Sequence, residues 1–119
     1  MTRKSIIKHG KPTKWQWTIW YPEKLKLGKN IDIGAGCHIF CQNGVEIGDD
    51  VQIGGGTYIY SKSTIDGKEG KVTIGRGARI GAQSLIMPGV TIGRNAIIGA
   101  QSFVKKDVGT GLVVYGVIA

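Results

Sequence analysis

From Ile74 to Val104 the aliphatic and polar positions fall into blocks of six. Ile74, Ile80, Ile86, Ile92 and Ile98 stand six residues apart, and four of the five are followed by glycine. An α-helix turns about 100° per residue, so positions six apart lie about 240° around its axis and make no stripe. A strand has an even period of two, so all five isoleucines share one face of extended chain. Val72, Ala78, Ser84, Val90, Ala96 and Ser102 each lie two residues before an aliphatic position and are small or apolar. Two inward residues followed by a glycine-rich corner describe a short strand and a turn.

The frame extends upstream through Leu27, Ile33 and Ile39, then Ile47, Ile53, Ile59 and Ile65. Two steps are too long. Ile39 to Ile47 is eight residues and Ile65 to Ile74 is nine, which places loops at 41–44 and 66–71. Both segments are rich in Gly, Asp, Asn or Lys, as loops are. A repeat this short, sustained over most of the chain, predicts an all-β solenoid of parallel strands. Residues 25–119 form that domain. Residues 1–24 are basic and Trp-rich, and the alternation of Trp15, Trp17, Ile19 and Tyr21 predicts a strand that caps the first coil.

The segments "VEIGDDVQIGGG", "VTIGRGARIGAQSLIMPGVTIGRNAIIGAQSFVKKDV" and "VVYGV" resemble the hexapeptide-repeat acyltransferases, over nearly the whole stretch from Leu25 to Val117. The resemblance implies a left-handed parallel β-helix packed as a homotrimer, with acetyl-CoA as cosubstrate. "YSKSTIDGKEGKV" (Tyr60 to Val72) is closest to members of surface-polysaccharide and nucleotide-sugar pathways, which implies a sugar hydroxyl or amine as acceptor. In such relatives the pantetheine arm meets backbone amides of the C-terminal coils. The matching positions are Gly81, Ala82, Gly99 and Ala100, with Lys105 and Lys106 near the phosphates. Small corner residues are also what the turn geometry requires.

The same resemblance raises a difficulty. Relatives carry a catalytic histidine near the positions of Thr64, Gln83 or Gly56, and none stands there in this sequence. The remaining proton-carrying candidates are His38, on an outward strand position, and Lys62 and Asp66, beside the expected site. Ser61, Thr64 and Gln83 are the candidate substrate contacts, with Lys62 expected to stack under Gln83 and Gln83 under Gln101. The competing function is a non-catalytic β-helix, a scaffold or binding module that kept the fold and lost the base.

Composition changes little. Lys and Arg number 16 against 8 Asp and Glu, a net charge of +8. A solvated surface accounts for this most simply, and attraction for the phosphates of coenzyme A is the reading the resemblance adds. Lysines interleaved with tryptophans in "KHGKPTKWQWTIWYPEKLK" also suit single-stranded nucleic acid. The cap outweighs that platform, because no nucleic-acid motif accompanies it. Cys37 occupies an inward position as a small apolar residue, and two cysteines without a second pair make no metal site. No apolar run reaches membrane-spanning length, and "MTRKSIIKHG" lacks the apolar core of a signal peptide, so the cytoplasm is the expected compartment.

Overall fold

The computed structural model describes residues 7–119; the first six residues of the N-terminal cap segment lie outside the described residues. The chain winds through a coil of three strands and repeats it. The first coil holds β1 (Thr18–Trp20), β2 (Leu25–Leu27) and β3 (Asp32–Ile33), with a 3-10 turn at Pro22–Lys24 after β1. The second holds β4 (His38–Phe40), β5 (Val45–Ile47) and β6 (Gln52–Ile53). β7 (Tyr58–Tyr60), β8 (Val72–Ile74) and β9 (Arg79–Ile80) make the third. The fourth comprises β10 (Leu85–Ile86), β11 (Thr91–Ile92) and β12 (Ile97–Ile98). β13 (Phe103–Val104), β14 (Val113–Val114) and β15 (Val117–Ile118) follow.

Equivalent strands of successive coils pair in parallel and build three sheets. Sheet A runs β1-β4-β7-β10-β13-β15, sheet B β2-β5-β8-β11 and sheet C β3-β6-β9-β12-β14. Three parallel sheets wound on hexads fit the left-handed β-helix that the resemblance implies.

The hexad isoleucines stack in register inside the prism. Ile19, Ile39, Ile59, Ile86, Val104 and Ile118 form the column of sheet A, and all six are buried. Each buried aliphatic side chain contributes roughly 1.5–3 kcal/mol. On sheets B and C glycine follows the inward aliphatic residue, as at Ile47, Ile74, Ile53 and Ile80, and it has a separate cause. A Cβ on Gly81 would strike the backbone nitrogen of Ala100 in the next coil, and one on Gly54 would strike that of Ala82. Coils touch backbone to backbone at these corners, so no side chain fits between them. Corner carbonyls are also met from within: the buried hydroxyls of Ser84 and Ser102 donate to the Gly81 and Gly99 carbonyls at 2.9 and 2.6 Å. This gives the small inward serines of the repeat a hydrogen-bonding role as well as a steric one.

Two features depart from the sequence reading. The solenoid begins at β1, upstream of residue 25, because β1 pairs with β4 as a rung of sheet A. Trp17 and Ile19 enter the core, whereas Tyr21 is 40% exposed and takes a left-handed backbone at φ 61°. The second departure is larger. Ile65 is 98% exposed and belongs to no rung. Tyr58 pairs with Leu85, an offset of 27, whereas Leu85 pairs with Phe103, an offset of 18. Nine residues are therefore extruded, not three, and the loop begins at residue 62 instead of 66. Its neck is closed by a Gly70 N–H bond to the Ser61 carbonyl at 2.9 Å and an antiparallel bridge between Lys62 and Glu69.

Candidate functional site

The outward residues of sheet A form an aromatic face. Trp20, Phe40 and Tyr60 stack on successive rungs, with ring centroids 5.7 and 4.8 Å apart. Beside them His38 and Tyr58 lie 5.0 Å apart, and Leu85 and Phe103 continue that row. The extruded loop folds over this face and walls a cleft of about 440 Å³ lined by Phe40, Tyr60, Leu85, Met87, Phe103, Gln42 and loop residues 62–65. The walls are mainly apolar, and the polar groups sit on the loop side.

The predicted site residues separate. Lys62 and Thr64 line the cleft. Ser61 is fully buried behind it, donating its hydroxyl to the Phe40 carbonyl at 2.7 Å and accepting the Asn43 N–H at 2.9 Å. It ties the two loops together and faces no open space. Asp66 caps the loop's turn by accepting the Lys68 N–H at 3.1 Å, and that hydrogen bond holds its carboxyl below the usual range. Lys62 does not stack under Gln83, because nine extruded residues shift the register. It pairs with Glu69 at 3.9 Å, and Gly56 takes the place under Gln83. Gln83 and Gln101 do stack, with the Gln101 amide donating to Gln83 Oε1 at 3.0 Å.

His38 is on the aromatic face, but its basic nitrogen is occupied. The Trp20 indole N–H donates to His38 Nδ1 at 3.4 Å. That bond turns Nδ1 toward the Trp20 indole, and His38 is not one of the residues that line the cleft. His9 is held in the same way, accepting the Tyr21 N–H on Nδ1 at 2.9 Å. His9 is anchored at the start of the solenoid, edge-on to Trp20 and Tyr21.

A second groove of about 380 Å³ runs along the outer face of sheet C beside the corner leading to sheet A. It is lined by Gly81, Gly99 and Ala100 together with Asp32, Gln52, Arg79 and Ile97. Ala82 lies on the same corner, stacked over Gly54. Three predicted cofactor positions are thus brought together by the repeat. Lys105 and Lys106 are not with them. They follow β13 at the opposite edge of sheet A, where Lys105 lies over the Phe103 ring at 5.8 Å. Asp32 and Arg79 were missed by the sequence reading, although their outward positions beside inward Ile33 and Ile80 mark them as surface residues of the groove. Among the described residues no three His, Cys, Asp or Glu side chains gather as metal ligands, and no helix is long and apolar enough to cross a membrane.

A three-sided parallel solenoid wound on hexads, with glycine corners bordering a groove, defines a hexapeptide-repeat protein. The chain belongs to that family. Residues 71–106 match the bacterial transferase hexapeptide model (six repeats), and residues 24–61 match the hexapeptide repeat of succinyl-transferase. Among solved structures it is similar to a maltose O-acetyltransferase from Clostridium difficile, at 30% identity and TM-score 0.77, over 84% of this chain and 58% of that one. A galactoside acetyltransferase in complex with coenzyme A gives 28% identity and TM-score 0.80, over 92% of this chain and 60% of that one. A hexapeptide-repeat-containing acetyltransferase from Vibrio cholerae, complexed with acetyl coenzyme A, gives 26% identity and TM-score 0.79, over 84% and 60%. The chain spans about three-fifths of the length of these relatives. No curated protein sequence matches it significantly.

Proposed function

We propose that the chain is an acyltransferase that uses acetyl-CoA and acylates a sugar or nucleotide-sugar acceptor, as a homotrimer. The observation that carries this reading is the groove on sheet C. Gly81, Gly99 and Ala100 border it, at corners where the backbone is bare of side chains and a pantetheine arm can lie against the main chain. Relatives of the same fold have been solved with coenzyme A or acetyl-CoA. Lys105 and Lys106 reach such a ligand only across a subunit boundary, with sheet A of one copy facing sheet C of the next. That packing also covers the aromatic face, whereas sheet B turns Lys26, Glu46, Thr73 and Thr91 outward and needs no cover. The net charge of +8 favours a polyanionic cosubstrate.

Calorimetric titration with coenzyme A tests the reading. Binding that weakens as salt is raised supports it, because phosphate contacts are screened. No binding at any salt overturns it in favour of the second reading, a non-catalytic β-helix, which the occupied Nδ1 atoms of both histidines support.

A further inference from the structure

Positive charge is not spread evenly along the solenoid. The cap segment and first coil, residues 1–33, hold eight of the 16 Lys and Arg but only Glu23 and Asp32 of the eight acidic residues, so six of the eight net charges lie there. One coil further the sign reverses. From Gly34 to Ser61 there is no Lys or Arg, whereas Glu46, Asp49 and Asp50 are acidic. A basic excess that only kept the surface solvated would be interspersed with acids and would need no such gradient. Concentrated at one end of a rod, it favours an anionic partner met end-on.

The fold gathers that charge into one layer. The cap segment runs antiparallel to β1, with the Gly10 N–H bonded to the Ile19 carbonyl and the Thr13 N–H to the Trp17 carbonyl, both at 2.9 Å, and a bridge between Pro12 and Thr18. β1, β2 and β3 are the terminal strands of sheets A, B and C. Lys8, Lys11, Lys14, Lys24, Lys26 and Lys29 therefore all belong to the outermost layer, and all six are exposed. Of these six, only Lys26 forms an ion pair among the described residues, with Glu46 at 3.4 Å.

A nucleic acid strand and a lipid bilayer both present phosphates, and the tryptophans distinguish them. Single-stranded nucleic acid needs aromatic faces open to its bases. Here the indoles are engaged. Trp17 is buried, and Trp15 stacks on it at 5.6 Å with the Lys14 ammonium 4.9 Å from its ring centroid. Trp20 stacks on Phe40, and His9 meets it edge-on. The rim shows solvent the 40% exposed Tyr21 and part of Trp15, residue types that settle at the headgroup level of a bilayer. We propose that this end of the solenoid docks on an anionic lipid bilayer, its lysines against the headgroup phosphates and its long axis standing off the membrane. A cluster of roughly four to eight basic residues suffices for such adhesion. In the proposed trimer three such ends share one plane, which matches a flat surface and multiplies weak contacts. The charge gradient carries this inference independently of the transferase reading.

The test sediments the full chain with vesicles of phosphatidylcholine alone and of phosphatidylcholine mixed with phosphatidylglycerol. Binding to the mixed vesicles only, lost as salt is raised, is expected, because the attraction is screened within a Debye length. Lys8→Gln combined with Lys11→Gln should weaken that binding about 25-fold, and Lys8→Glu with Lys11→Glu should weaken it further. Lys68→Gln combined with Arg94→Gln removes the same charge from later coils and should change binding by no more than about twofold. All four side chains are exposed, so the unfolding midpoints of the variants should match that of the parent. Equal losses from the two pairs overturn the inference, as do equal binding to both kinds of vesicle and failure to bind the mixed vesicles at low salt. Tighter binding of a thymidine oligonucleotide than of the mixed vesicles also overturns it, and assigns this end to nucleic acid.

Discussion

The glycine that follows a hexad isoleucine has a measurable cost if replaced. A Cβ at Gly81 meets the Ala100 backbone, which cannot rotate away as a side chain would. Gly81→Val should destabilise the chain by about 1–3 kcal/mol, read as a lower denaturant midpoint. His38 gives the opposite expectation. Because Trp20 occupies its Nδ1, His38→Asn should leave acyl transfer within about twofold of the parent, far from the roughly hundredfold loss that removal of a general base brings; steady-state turnover decides between them. Gln83 and Gln101 hold left-handed backbones at φ 58° and 59°, a position where glycine is ordinarily favoured. Their stacked amides make a polar ladder beside the sheet C groove.

At the scale of elements, the extruded loop is an addition to the solenoid and not a part of its core. Its ends meet at the Ser61–Gly70 hydrogen bond, and its apolar tip residue, Ile65, packs on nothing in the chain. Replacing residues 62–69 by two glycines should change stability by no more than about 1 kcal/mol, while opening the cleft on sheet A. A cooperative loss of the whole fold would contradict this. The loop's order should depend on acid. Asp66 is held below its usual range, chiefly by the Lys68 N–H. The ordering it provides is complete above the ordinary carboxylate range and is lost as pH falls through the lowered value. Ile65 methyl resonances followed from neutral to strongly acid pH would record that transition.

Strands and corners were legible because one hexad contains its own explanation: an inward aliphatic, a bare glycine and a small inward residue. The length of the extrusion was not. Ile65 stands six residues after Ile59 and satisfies the period by coincidence, but Asp66 follows it where the repeat supplies glycine. Gly81, Gly99 and Ala100 could be found because the corner repeats locally. The Trp20–His38 bond joins adjacent coils, and the separation of Lys105 and Lys106 from the groove depends on which corner each turn reaches. Neither follows from spacing along the chain.

At the scale of the whole molecule, the three faces of the prism differ in chemistry. Sheet A is aromatic, sheet B is charged and polar, and sheet C carries the groove. A solenoid with one apolar outer face associates through it. Light scattering should give three times the 12.7 kDa chain mass, and a monomer mass would contradict the trimer. In the proposed trimer sheet A of one copy faces sheet C of its neighbour, an arrangement that would bring the Phe103 and Lys105 side chains to the groove from the adjoining copy. Under the proposed function, coenzyme A lies along the corner beside that groove. Backbone amide shifts followed during a coenzyme A titration test it residue by residue. Saturable shifts at Gly81, Ala82, Gly99 and Ala100, with the sheet B amides of Glu46 and Thr73 unmoved, are the predicted result; no shifts, or shifts confined to sheet B, would contradict it.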